Sequence, residues 1–107
     1  MHNSSARILC IGKDSGLLRS RCAVLAHAGY DARYVMYPDA EHLLTREPFD
    51  LIILSAILSQ EEKDHIWTIV GDTPPILALK KLVFASELLR DVEQRLGHVR
   101  QPARQPA

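Results

Sequence analysis

The chain has 107 residues, 47% of them apolar and 24% charged, and thirteen basic residues balance thirteen acidic ones. That composition fits one globular domain, able to bury roughly 65% of its unfolded surface. The neutral balance argues against nucleic acid or an anionic membrane as partner, and no apolar run approaches the roughly 20 residues of a membrane span.

Arg7-Ile8-Leu9-Cys10-Ile11-Gly12 is a continuously apolar run ending at glycine, the pattern of a strand buried on both faces. Asp14-Ser15-Gly16 then offers N-cap oxygens to a helix with Leu18, Cys22 and Leu25 on its apolar stripe, and Gly29 stops it. Asp31 to Met36 reads as a second strand. Pro38-Asp39 opens a short helix that Pro48 closes. Phe49 to Leu54 is the strongest strand signal and belongs at the centre of a sheet. Ser59 to Val70 reads as a helix with Glu61, Glu62 and Asp64 at its positive end and an apolar face of Ile66, Trp67, Ile69 and Val70. Gly71 to Pro74 makes a turn, Pro75 to Leu79 a fourth strand, and Ala85 to Leu96 a last amphipathic helix. Regular strand–helix alternation of this kind predicts an α/β fold with a parallel sheet. The domain is expected over residues 1–97, with 98–107 as a tail containing Pro and Arg.

The cysteines, Cys10 and Cys22, fall inside apolar patterns and read as small buried hydrophobes rather than a disulfide. Residues 1–7 are polar and lack the apolar stretch of a signal peptide, so a cytoplasmic location is expected. Asp39, Glu41 and His42 read as solvated surface; no metal and no cofactor are expected.

With Ile8 to Asp14, Tyr30 to Met36, Phe49 to Ser55, Pro75 to Leu79 and Glu87-Leu88-Leu89, the chain resembles a bacterial response-regulator receiver domain from Arg7 to Leu96. The resemblance implies a flavodoxin-like doubly wound sheet. It also implies a chemistry: an aspartate ending the third strand accepts a phosphoryl group, and two acidic residues after the first strand hold Mg²⁺. A Thr or Ser ending the fourth strand and a Lys ending the fifth bind the phosphoryl oxygens.

Carried onto this chain, those positions have changed. The acid pair falls on Gly12 and Lys13, with Asp14 one residue further on and explained as a helix cap. The phosphoacceptor position is Ser55, un-ionised and without a neighbouring base. The hydroxyl position falls on Lys80, and Lys81 aligns with the family's Lys if Leu79 to Phe84 stands for the fifth strand. These positions imply a degenerate pseudo-receiver, not phosphorylated on Asp and not an enzyme. It would act as a signalling module through partner binding; the alternative is a flavodoxin-like sensor of a small molecule or nucleotide at the carboxyl end of the sheet.

The chain is also short. Only Lys80 to Phe84 separate the fourth strand from the last helix, too few for a crossover, which needs at least about 10–12 residues. The sheet is therefore expected with four strands in order 2-1-3-4, helices on both faces and one open edge. Such an edge beside apolar surface predicts a homodimer through the fourth strand and last helix, or by exchange of that helix, with Leu77, Leu79, Leu82, Val83, Phe84 and Leu88 at the interface.

Overall fold

A computed structural model of the chain describes residues 6–100, and side chains as far as Gly97. Four parallel strands, β1 (Arg7–Gly12), β2 (Asp31–Met36), β3 (Leu51–Leu54) and β4 (Ile76–Ala78), lie in the order β2-β1-β3-β4. Helices α1 (Ser15–His27), α2 (Ala40–Leu44, after a 3-10 turn at Tyr37–Asp39), α3 (Gln60–Val70) and α4 (Ala85–Arg100) alternate with them. The predicted architecture and strand order hold. α4 runs on through Arg100, past the helix end expected at Leu96. Residues 101–107 of the expected tail lie outside the described residues.

Strand pleating divides the core into two layers. Ile8 and Cys10 of β1 with Leu51 and Ile53 of β3 meet Leu18 and Leu25 of α1 and Leu88, Val92 and Leu96 of α4. Leu9, Ile11, Ile52 and Leu54 point the other way and meet Ala40 of α2 and Ile66 of α3. Both central strands are buried on both faces, which explains their unbroken apolar runs. Each fully buried Leu or Ile contributes about 1.5–3 kcal/mol relative to exposure. Trp67 departs from expectation: it is 45% exposed while Ile66 takes the core position of α3.

The caps account for the element boundaries. Asp14 Oδ1 accepts the Leu17 N–H at the start of α1. Gly29, at φ 103°, ends it, with Gly29 and Tyr30 N–H donating to the Ala26 and Leu25 carbonyls. Ser59 and Glu62 form a reciprocal capping box on α3. Leu79 to Phe84 is loop rather than a continued strand; Phe84 N–H is taken by Glu87 Oε1 as α4 begins.

The outer edge of β4 is partly occupied. Ile52 N–H donates to Pro75 O and Leu79 N–H to Leu54 O, so in this parallel register Ile76 and Ala78 turn their peptide groups outward. Arg95 Nη1, from α4, donates to the Ile76 carbonyl at 2.8 Å. A guanidinium thus sits on the edge that a further strand would use.

Candidate functional site at the carboxyl end of the sheet

Gly12, the last residue of β1, lies against Ser55 just after β3, and Lys13 and Asp14 follow Gly12 in the turn to α1. Ser55 is 2% exposed and tied to β1 by its N–H, which donates to Ile11 O at 3.0 Å. Gly12 makes this approach possible. A Cβ there would collide with Ser55 Oγ and stand 3.1 Å from Leu18 Cδ2. The absence of a side chain at this first acid-pair position is therefore what lets a hydroxyl pack against the strand backbone.

Lys13 Nζ pairs with Glu62 Oε2 at 2.8 Å, latching the loop after β1 to the first turn of α3. The Glu62 carboxyl is held below its ordinary value, first by Lys13 and then by the Ser59 N–H. Asp14 spends its carboxylate on the α1 cap. Neither acid is left over to ligate a divalent cation, and no group of three or more His, Cys, Asp or Glu that could hold a metal occurs among the described residues.

Arg21 is the residue at this position that the sequence reading missed. Only 5% exposed, it sits on the inner face of α1 between Leu18 and Leu25 and donates from Nη1 to Ser55 Oγ at 2.9 Å. Helical side chains lean toward the N-terminus, so Arg21 reaches from the core toward the carboxyl end of β3. Lys80 and Lys81, by contrast, are exposed on the loop after β4 and make no ion pair or hydrogen bond among the described residues. The cation touching the phosphoacceptor position comes from α1. A visible signal was available: Arg21 is i+3 from Leu18 and i−4 from Leu25, inside the apolar stripe.

Cys10 and Cys22 are free thiols, Cys10 in the core layer beneath α1 and Cys22 packed against it. The hydrogen bond with Cys22, together with burial, pushes the Cys10 thiol far above its ordinary value. It behaves as a core hydrophobe.

Of the six residues expected at an interface, Leu77, Leu79 and Leu88 are buried in the chain's own core, and Val83 packs against it. They complete the layer beneath α4 and are unavailable to a partner docking on the folded chain. Leu82 (72% exposed) and Phe84 (79%) do face outward, on the same end of the sheet as exposed Ile57. A recess of about 450 Å³ lies at the amino end against Leu44, Phe49, Ile69 and Val70. Its rim carboxylates are engaged: Glu47 by Arg7 and Arg33, Asp50 by the Arg7 N–H.

Solved structures share this architecture. A CheY-like response-regulator receiver domain protein from Methanospirillum hungatei JF-1 superposes with TM-score 0.64 at 18% identity, covering 89% of this chain and 96% of that one. The signal receiver domain of a signal transduction histidine kinase from Syntrophus aciditrophicus gives TM-score 0.64 at 16% identity, covering 96% and 98%. The fold is that of a receiver domain. The non-phosphorylated HemR receiver domain from Leptospira biflexa agrees, with TM-score 0.61 at 23% identity over 96% of this chain and 100% of that one. No family model matches the chain, and no curated protein does. Among the described residues, no helix of this receiver-like domain is long and apolar enough to cross a membrane.

Proposed function

We propose that this chain is a receiver-like signalling module that works without phosphorylation on Asp and without catalysis, by binding a second copy of itself. The observation that carries the first half is the Arg21–Ser55 hydrogen bond. A receiver needs a carboxylate nucleophile and a metal there, because phosphoryl transfer rests on positioning and charge neutralisation. Here the position holds a hydroxyl under a guanidinium, and the acid-pair positions are Gly12 and Lys13, the latter paired with Glu62. Incubation with Mg²⁺ and an acyl phosphate, then denaturing intact-mass measurement, is expected to return the unmodified chain. A mass gain of one phosphoryl group would overturn the proposal. Ser55→Asp is expected to stay unlabelled too, since Gly12 and Lys13 supply no metal ligand.

The second half rests on Leu82 and Phe84, apolar and exposed beside Lys80 and Lys81, which have no partner among the described residues. A formal net charge of zero leaves no long-range repulsion between copies. Arg95 on the β4 edge disfavours strand-to-strand pairing, which directs the contact to the β4–α4 loop. Sedimentation at micromolar concentration should show a dimer, and the double variant Leu82→Ser, Phe84→Ser a monomer with stability within about 0.5 kcal/mol of the parent. A monomeric parent chain would refute this half.

A further inference from the structure

The recess at the amino end lies across the sheet from Ser55, Leu82 and Phe84. Pro48, Phe49, Val70 and Pro75 are among its walls, and the charged residues that line it, Glu47 and Asp50, are both acidic. Glu47 is held by Arg7 and Arg33. Asp50 is not: its Oδ2 accepts the Arg7 backbone N–H, and it makes no ion pair among the described residues. The recess thus offers ring-rich apolar walls and a carboxylate open to a cation.

Helix α4 carries a matching segment to that place. It starts at the carboxyl end and passes the amino end of β4, because Arg95 Nη1 donates to the carbonyl of Ile76, the first residue of that strand. Arg100 ends the helix roughly 7.5 Å further along its axis. Phe49 lies at a comparable depth: Ile52 pairs with Ile76, and Phe49 precedes Ile52 by up to roughly 10 Å of extended chain. From there the sequence reads Arg100-Gln101-Pro102-Ala103 and then Arg104-Gln105-Pro106-Ala107, one tetrapeptide twice, with cations and no carboxylate side chain. Its prolines favour the extended polyproline conformation, in which Gln101 to Ala107 spans roughly 22 Å. That reach covers the passage under β4 to β3, neighbouring strands about 4.8 Å apart.

We infer that residues 101–107 dock back into the amino-end recess of their own chain, the prolines against Phe49 and Pro75 and Arg104 against Asp50. Proline segments suit aromatic-lined grooves because their preformed extended backbone loses little entropy on binding. Tethering adds to this. Attached to α4, the segment meets the recess at an effective concentration on the order of millimolar, so a contact too weak to join two molecules is populated within one.

The test uses the full chain with a benzophenone-bearing amino acid in place of Ala103, irradiated as a mixture of ¹⁵N-labelled and unlabelled copies and mapped by mass spectrometry. Crosslinks within one chain to residues 44–50 or 69–75 are expected. Arg104→Gln and Asp50→Asn, the latter keeping an acceptor for the Arg7 N–H, should each lower their yield roughly two- to five-fold, the size of an exposed ion pair. The two together should lower it no further than either alone. Absence of these crosslinks, crosslinks that join labelled to unlabelled copies instead, or a yield unmoved by Arg104→Gln would overturn the inference. Should Asp50→Asn fail to fold, Arg104→Gln, which lies beyond α4, decides alone. Leu82→Ser with Phe84→Ser should leave the yield unchanged, so the docking of this segment and the dimer fail independently.

Discussion

The two ends of the sheet are built on opposite principles. At the amino end, Arg7 donates to Pro48 O and Glu47 Oε1, approaches Asp31 Oδ2 at 3.4 Å and stacks 5.0 Å from the Phe49 ring centroid. Arg33 shares the same Glu47 carboxylate. At the carboxyl end, Arg21 lies deeper and has one neutral partner, Lys80 and Lys81 have none among the described residues, and Leu82 and Phe84 face water. Satisfied charge stitches the strands together at the amino end, whereas the carboxyl end keeps a sparsely paired cation and uncovered apolar surface.

The largest expected effect tests how tightly the carboxyl end is packed. Gly12→Ala places a methyl group against Ser55 Oγ and Leu18, and should cost about 1–3 kcal/mol in chemical denaturation. Repeating it in a Ser55→Ala background should recover part of that loss, and an unchanged loss would mean that the hydroxyl is not what Gly12 accommodates. Next in size is the amino end, where Arg7→Ala removes paired contacts at a half-exposed site and should cost on the order of 1 kcal/mol. The matching change at the other end has the opposite sign: Arg21→Met should gain on the order of 1 kcal/mol by removing a buried cation that has no counter-ion among the described residues. A loss at Arg21 larger than that at Arg7 would erase the contrast.

The smallest effect is the response to acid, and it should be shared. The carboxyls of Glu47, held low first by its hydrogen bond with Arg7, and Glu62, held low first by Lys13, ionise below the ordinary 4.5. Each therefore contributes stability that is fully present above 4.5 and is lost as pH falls through the depressed value. Stability curves of Glu47→Gln and Glu62→Gln should each lie below the parent above that pH and merge with it further into acid. A gap that persists into strong acid would show that the carboxylates act through packing rather than charge.

Most of the fold could be read directly because local and tertiary demands coincide. The runs Ile8–Ile11 and Leu51–Leu54 are apolar throughout since both faces of those strands are covered, and Asp14, Gly29 and Ser59 mark helix ends by their own chemistry. The site was half legible. Gly12, Lys13, Asp14 and Ser55 could be placed by their order after the strands, but a charged residue on a helix is ordinarily solvated, so Arg21 passed unnoticed in its apolar stripe. Leu79 to Phe84 misled in the other direction. Its β-prone residues suit a strand, yet β4 ends at Ala78 and the segment is used to reach the start of α4. Leu77, Leu79 and Leu88 read as candidates for an interface because sequence cannot tell whether α4 of the same chain or a partner will cover them.

The guanidinium that Arg95 lays on Ile76 has one more implication. Anything that tried to lengthen the sheet from that side would first have to evict a bound cation from the Ile76 carbonyl. Runaway stacking of strand on strand is thereby discouraged at the place where a shortened sheet would otherwise invite it, so assembly of this molecule should stop at a discrete size instead of growing into fibres.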